Sequence, residues 1–106
     1  MVIRGEVWLA TLDPTVGSEI RKTRPCLIVS PPEMHDHLRT AIVAAMTTGA
    51  RSAPYRIPVT FGGKKGSILL DQIRTLDQAR LIKRLGAVHH KTLASTLNIL
   101  QEIFTT

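Results

Sequence analysis

The residues best suited to chemistry stand in one polar loop, over residues 15–24. Glu19 and Arg24 lie five positions apart there, between two stretches with the apolar composition of strands. A carboxylate can accept a proton, and a guanidinium can hold a phosphate through two parallel hydrogen bonds. The following Pro25 restricts Arg24 to an extended backbone. The loop can therefore serve binding or catalysis, although on spacing alone a structural ion pair of Arg24 with Glu19 or Asp71 is the favoured interpretation.

Two other polar pairs directly follow apolar strands. Thr47 and Thr48 end one of them, so their hydroxyls are expected at the rim of a sheet. There they can hydrogen-bond a phosphate oxygen or a ribose, although turn capping is the simpler explanation. Asp71 and Gln72 end a second apolar run and can organise the loop after Thr47 through hydrogen bonds. For this pair, structural support and a catalytic role both remain open.

The histidines do not have the spacing of a metal site. His35 and His37 are two apart in a short predicted helix, so they point in different directions. His89 and His90 precede the last helix and are expected to face solvent. No cysteine or carboxylate cluster completes a zinc-like pattern. The single cysteine, Cys26, lies in an apolar run and is predicted to be a buried, inert thiol.

The charge of the chain favours a polyanionic partner. The formal net charge is +6 over 106 residues, with six Lys/Arg against five Asp/Glu in residues 1–53 and eight against three in residues 54–106. Nucleic acid or an acidic protein suits such a balance, although a merely soluble basic surface has it too. The N-terminus has no signal pattern and no apolar stretch has the length of a membrane span, so a soluble intracellular protein is expected.

The chemistry-bearing residues must be positioned by short strands. The pattern predicts strands over 6–12, 26–29, 41–46, 55–61 and 67–74, with a hairpin turn over 62–66, and over 80–88 either a last basic strand or an irregular segment broken by Gly86. It also predicts a short helix capped by Ser30 and ending near residues 38–40, another from Thr75 through Ala79, and a final helix from Thr92. The final helix carries a wide apolar stripe. Residues 1–106 are therefore expected to form one mainly β domain, a bent antiparallel sheet or partly open barrel with a helix packed on it.

Several segments, in this order, resemble the MazF/PemK/Kid family of prokaryotic toxins. The resemblance rests on Arg-Gly-Glu-Val-Trp-Leu at 4–9, Leu-Asp-Pro-Thr-Val-Gly-Ser-Glu at 12–19, Thr-Arg-Pro-Cys-Leu-Ile-Val-Ser-Pro at 23–31, Thr-Thr at 47–48 and Leu-Asp-Gln-Ile-Arg-Thr-Leu-Asp at 70–77. Each motif alone is only modestly specific for the family. Their joint occurrence at family spacing, over nearly the whole chain, is specific.

The resemblance implies a fold, an activity and partners. The fold is an SH3-like small barrel of the CcdB/PemK type with a C-terminal helix, acting as a homodimer. The activity is sequence-specific cleavage of single-stranded RNA, that is, an mRNA interferase, through attack of the 2′-hydroxyl and without a metal or other cofactor. The partner is an acidic, partly disordered antitoxin that lies across the RNA groove. The location is cytoplasmic.

The resemblance also assigns roles to residues. The catalytic positions correspond to Arg24 and Thr47, with Glu19 in the acid/base role that some members use. The expected RNA-binding residues are Gly17, Ser18, Lys22, Pro25, Thr48, Lys64, Lys65 and Gln72. Some members use an arginine two residues before the Asp-Gln pair and a histidine in the Gly-x-Glu loop. Here these positions are Leu69 and Ser18, so this chain should not use that set, and Asp71 is a weaker catalytic candidate.

Two other functions suit the same barrel. A non-catalytic toxin similar to CcdB would poison DNA gyrase, and it would not need Glu19, Arg24 and Thr47. A plain RNA-binding barrel would leave RNA intact, and the four aromatic side chains are few for a stacking platform. The ribonuclease is the favoured function.

Overall fold

The computed structural model describes residues 2–49 and 52–106, which form seven strands, two α-helices and two short 3-10 turns. The strands are β1 (Glu6–Thr11), β2 (Thr23–Ile28), β3 (Thr40–Thr47), β4 (Arg56–Phe61), β5 (Lys64–Leu69), β6 (Arg74–Asp77) and β7 (Leu81–Ala87). The helices are α1 (Pro32–His37) and α2 (His90–Ile103), and the 3-10 turns are Leu70–Gln72 and Gln78–Arg80.

All strand pairs are antiparallel, in the order β4-β5-β3-β2-β1-β7, with β6 also paired to β3. The long β3 bends the sheet because it changes partner along its length, from β6 at its start to β5 at Met46 and Thr47. Phe61 of β4 lies so close to Gly86 of β7 that a Cβ on the glycine would be 3.2 Å from the phenylalanine Cζ. The two ends of the strand order therefore approach each other, and the predicted partly open barrel is confirmed.

The core lies on both faces of the central strands. Cys26 and Ile28 belong to one buried cluster, and Leu27 between them belongs to the other. Successive side chains of a strand point to opposite faces of the sheet, so a strand that is covered on both faces contributes to two buried clusters. The second cluster is covered by α2, through Ile99, Leu100 and Ile103. Burial raises the pKa of the Cys26 thiol to about 12, as expected for an inert buried cysteine.

Two predicted elements between residues 67 and 80 are wrong. The strand predicted over 67–74 is interrupted by the 3-10 turn at Leu70–Gln72, and the helix predicted from Thr75 through Ala79 is instead β6 followed by a second 3-10 turn. Leu76 is buried and pairs with Ala41 of β3, so tertiary strand pairing overrides the local helix signal. The second 3-10 turn is capped by Asp77, whose side chain accepts a hydrogen bond from the Ala79 amide at 2.8 Å.

The helix starts also differ from those predicted. Ser30 does not cap α1: its Oγ accepts from the Ile42 amide at 2.9 Å and bonds His35 Nε2 at 2.6 Å. The last helix begins at His90, two residues before Thr92, with His89 as its N-cap. His89 and His90 are exposed, as predicted. Within residues 2–49 and 52–106, no helix has the length and apolar character needed to cross a membrane.

Candidate active site

A cleft of about 210 Å³ opens between the start of β2, the end of β3 and the β4–β5 hairpin. Its lining consists of Thr23, Arg24, Pro25, Met46, Thr47, Thr48, Val59, Phe61, Lys64, Gly66 and Ser67. We call it the first cleft. Arg24 and Lys64 are the charged side chains in this described lining, which contains no carboxylate. The first cleft therefore suits an anion.

Strand register brings Arg24 and Thr47 together. β2 pairs with β3 through Cys26 and Ala45, and two further residues in the same register place Arg24 opposite Thr47. Arg24 Nη1 donates to Thr47 Oγ1 at 3.1 Å, and its Nε donates to the Arg21 carbonyl at 2.8 Å. Nη2 makes no hydrogen bond to the part of the chain that the structure describes. The guanidinium is thus oriented by two contacts while one nitrogen can still receive a ligand oxygen.

The ion pairs suggested for Arg24 are not present. Asp71 instead pairs with Arg56, with Nε to Oδ1 at 3.2 Å and Nη2 to Oδ2 at 3.1 Å. Hydrogen bonding from Arg56 holds the pKa of Asp71 below its ordinary value. Glu19 Oε1 accepts from the Val16 amide at 2.7 Å. The structural ion-pair interpretation of Arg24 is therefore wrong, and the Arg56–Asp71 pair connects β4 to the turn at residues 70–72.

A second cleft of about 520 Å³ lies beside the loop between β1 and β2. Its lining consists of Ser18, Glu19, Ile20, Asp71, Gln72, Ile73 and Arg74. Gln72 Oε1 accepts a hydrogen bond from the Ile20 amide, so the glutamine connects the turn at residues 70–72 to that loop. Both signs of charge and several donors and acceptors face this second cleft. It differs in this respect from the basic first cleft.

The structure divides the predicted site residues between these places. Arg24, Thr47, Pro25, Thr48 and Lys64 line the first cleft, whereas Glu19, Ser18 and Gln72 line the second. Gly17 and Lys22 belong to the loop, both with positive φ, and Lys65 lies by a shallow depression beside Pro58 and Thr60. The predicted catalytic trio is therefore not assembled in one cleft: Arg24 contacts Thr47, and Glu19 stands apart.

Sequence reasoning missed the wall of the first cleft formed by the β4–β5 hairpin. Val59 and Phe61 alternate with Pro58 and Thr60, a pattern that indicated a half-buried strand but not a cleft. Gly66 was read only as part of the hairpin turn. A Cβ on Gly66 would lie 2.5 Å from the Thr47 carbonyl oxygen. Only a residue without a side chain allows β5 to approach Thr47 this closely.

The histidines do not add a metal centre to these clefts. Across residues 2–49 and 52–106, no group of three or more His, Cys, Asp or Glu side chains is arranged to hold a metal ion. His35 is instead bonded through Nδ1 to the Val2 carbonyl at 2.8 Å and through Nε2 to Ser30. Its two ring nitrogens thus connect α1 with the N-terminal segment and with the end of the second strand.

Comparison with known proteins identifies the class to which this fold and these clefts belong. The model of the PemK-like, MazF-like toxins of type II toxin–antitoxin systems matches residues 3–104. The chain belongs to this family. Endoribonuclease PemK of Escherichia coli is 39% identical over 108 residues, covering 96% of this chain and 81% of that protein. Endoribonuclease MazF of Staphylococcus epidermidis is 41% identical over 91 residues, covering 80% and 76%.

Solved structures share the fold at lower identity. MazF from Deinococcus radiodurans superposes with a TM-score of 0.87 at 23% identity, over 97% of this chain and 96% of that one. An endoribonuclease from a mycobacterial species, solved in complex with its cognate antitoxin, has a TM-score of 0.82 at 24% identity, over 98% and 95%. These likenesses confirm the barrel with a C-terminal helix that the sequence predicted.

The close approach of Gly66 to Thr47 yields a prediction. Gly66→Ala should force the Thr47 backbone to move and lower the free energy of unfolding by about 1–3 kcal/mol, the usual cost of overpacking. Gly49→Ala is the matched control, because a Cβ there meets nothing within 4 Å. Chemical denaturation measures the free energy of unfolding, and NMR spectra should show changed amide chemical shifts at Thr47 and Thr48. Equal stability of the two variants would contradict the close approach of Gly66 to Thr47.

Proposed function

We propose that this protein is the toxin of a toxin–antitoxin pair and a sequence-specific, metal-independent endoribonuclease acting on single-stranded RNA. The observation that carries the proposal is the Arg24–Thr47 hydrogen bond inside a basic cleft. A guanidinium and a hydroxyl so placed can both contact the nonbridging oxygens of one phosphate. Two relatives about 40% identical are named endoribonucleases, which supports the same activity here.

The reaction needs little from the protein because RNA carries its own nucleophile. The 2′-oxygen attacks the adjacent phosphorus, the bond from phosphorus to the 5′-oxygen breaks, and the products are a 2′,3′-cyclic phosphate and a 5′-hydroxyl. Arg24 and Thr47 stabilise the charge that develops on the phosphoryl oxygens. In this assignment the departing 5′-oxygen takes its proton from solvent water.

We assign the acceptance of the 2′-hydroxyl proton to Glu19. The carboxylate is exposed, and only one of its oxygens, Oε1, bonds to the described residues. Arg24 Nε bonds the Arg21 carbonyl, so the C-terminal part of the loop that carries Glu19 is attached to the catalytic arginine. When RNA crosses both clefts, Glu19 leaves its bond with Val16 and turns toward the scissile nucleotide.

The remaining predicted residues then contact the flanking RNA. Lys22, Lys64 and Lys65 are exposed cations near the first cleft or its rim, and they suit the phosphates on either side of the scissile one. Ser18 and Gln72 present hydrogen-bonding groups in the second cleft, where an unstacked base can be read by its edge. Gly17, Pro25 and Thr48 shape the approach of the strand.

The alternative function, a CcdB-like gyrase poison, is not favoured. Fold alone would allow it, since one barrel can carry different activities. The relatives that match 96% and 80% of this chain are named endoribonucleases, and an oriented arginine beside a threonine hydroxyl suits phosphate chemistry. A plain RNA-binding barrel is disfavoured for the same reason.

We also propose a homodimer and an acidic, partly disordered antitoxin as partner, both in the cytoplasm where mRNA is accessible. A structure from Deinococcus radiodurans contains MazE together with MazF, and the net charge of +6 of this chain suits an acidic partner. Phe104 is 73% exposed at the end of α2 and lines a groove whose other lining residues are Arg4, Val29, Leu97, Leu100 and Gln101. This groove supports a second copy packing against α2.

The first test uses a chimeric RNA. A long RNA incubated with the protein in excess chelator should be cut at a defined motif, and its fragments should carry 2′,3′-cyclic phosphate and 5′-hydroxyl ends. Replacing the 2′-hydroxyl by hydrogen at the scissile nucleotide should abolish cleavage there, because the nucleophile is gone. Undiminished cleavage of the deoxy substrate would refute the mechanism, and activity that depends on added metal would refute metal independence.

Arg24→Ala should reduce the cleavage rate constant about 10²–10³-fold, the loss seen when one preorganised charge-stabilising donor is removed. Arg39→Ala makes the same change of charge on an exposed residue outside both clefts and should cleave at the wild-type rate. Single-turnover kinetics measure both. Thermal unfolding should be similar for the two variants, because Arg24 is a half-buried residue at a strand edge and not part of the core. Near-wild-type cleavage by Arg24→Ala would remove Arg24 from the mechanism.

The partners are tested together. Light scattering at micromolar concentration should give twice the mass of the chain. Titration with the purified acidic partner should inhibit cleavage in proportion to occupancy, and its binding should weaken as salt rises because opposite charges hold the complex. A monomer would reject the dimer. Saturating antitoxin that leaves cleavage unchanged would reject a shared groove.

A further inference from the structure

The base of the loop between β1 and β2 is held by side chains from a distant segment. Arg80 Nη1 donates to the Asp13 carbonyl at 2.6 Å and to the Thr11 carbonyl at 3.3 Å. Arg74 Nη1 donates to the Leu12 carbonyl at 3.0 Å. Two arginines thus bind three consecutive carbonyls where β1 ends. A backbone that leaves a strand loses its ladder partners, and these cations replace them.

The other side of the loop is attached to the same segment. Gln72 Oε1 accepts from the Ile20 amide. The Leu12 amide donates to the Lys22 carbonyl at 3.0 Å, which closes the base of the loop. Gln72, Arg74 and Arg80 are separated from their loop partners by 52 to 69 positions in sequence. The loop is therefore fixed from outside, at both of its ends.

Between these attachments the loop holds itself only locally. Val16 and Glu19 form two mutual hydrogen bonds, the amide of each donating to an oxygen of the other. Residues 16–19 are exposed, and Val16 is 79% accessible. Glu19 directly precedes the attached Ile20, so the backbone position of Glu19 follows from the attachment, while its carboxylate is held locally by the Val16 amide.

We infer that Gln72, Arg74 and Arg80 form a clamp that positions the β1–β2 loop, and with it Glu19, relative to the first cleft. The part of this inference that concerns Glu19 in cleavage rests on the proposed function. Arg80 is the informative member, because it lines neither cleft and its hydrogen bonds go to backbone carbonyls of the loop base. It is a positioning residue and touches no reacting atom.

The clamp is tested first without RNA. Amide hydrogen exchange of peptides spanning residues 12–22 should quicken at least about tenfold in Arg80→Ala, because the variant loses both charge-assisted hydrogen bonds to the loop base. Exchange in α2 should stay unchanged. Arg39→Ala, which makes the same change of charge on an exposed residue, should leave loop exchange as in the wild type. Arg80→Lys should give an intermediate rate because one ammonium cannot bind both carbonyls in the geometry of the guanidinium. Unchanged exchange in Arg80→Ala would overturn the clamp.

The second arm asks whether the clamp acts through Glu19. Arg80→Ala should lower kcat for RNA cleavage about tenfold with little change in KM, and Glu19→Gln should lower it further. In the double variant the effect of Arg80→Ala should disappear, since a positioning residue has no effect once the group it positions is gone. Multiplicative losses would show that Arg80 acts independently of Glu19 and would overturn the positioning role.

The two arms separate the clamp from the proposed function. If the wild-type protein cleaves no RNA, the proposed function fails, while loop exchange still decides whether Arg80 holds the loop. If Arg80→Ala does not fold, Arg80→Lys carries both measurements, because it keeps the charge and one hydrogen bond. In that case, the inference would be overturned if Arg80→Lys had both the amide exchange of the loop and the kcat of the wild-type protein.

Discussion

The register of β2 against β3 is the constraint on which the rest of the site depends. Cys26 stands opposite Ala45, and the same register brings Arg24 to Thr47 at the strand ends. Because side chains alternate with a period of two, a slip of one residue would reverse every side chain on one strand relative to the core. Cys26, Leu27 and Ile28 are fully buried on the two faces, so such a slip would expose or misplace all three. The core therefore fixes the geometry of the polar pair.

The architecture could be predicted from the sequence, whereas the secondary structure of the segment after β5 could not. Alternation and turn residues predicted the barrel and its C-terminal helix because each local pattern agrees with the final packing. The strand at Arg74–Asp77 was not predicted because it forms by pairing with β3, which local propensity does not record. Leu76 is buried against that strand, and no hydrophobic period within residues 70–80 reveals that its partner is Ala41, far earlier in the chain.

Sequence reasoning named several residues that line the two clefts, but it did not predict how the clefts divide them. Arg24 and Thr47 lie at strand ends, and regular strand geometry carries such residues to predictable places. Glu19 lies in a loop, where no repeating geometry applies, and the structure places it in a separate cleft. The predicted ion pair of Arg24 with Asp71 was wrong for a similar reason. Asp71 pairs with Arg56 of β4, a partner that the spacing of residues in the sequence did not indicate. Long-range hydrogen bonds decide such details, and they are not encoded in a local pattern.

The openness of both clefts agrees with the chemistry proposed for them. A reaction that needs an external nucleophile requires a site that captures and orients it, whereas RNA brings its 2′-hydroxyl already bonded next to the phosphate. The protein then needs positive charge at one point and a proton acceptor within reach. Strands supply the first with little freedom, through Arg24 and Thr47. In the proposed mechanism, the loop attached at both ends supplies the second through Glu19. A small barrel whose described clefts are shallow can therefore perform this reaction, because the substrate provides the part of the geometry that the fold does not.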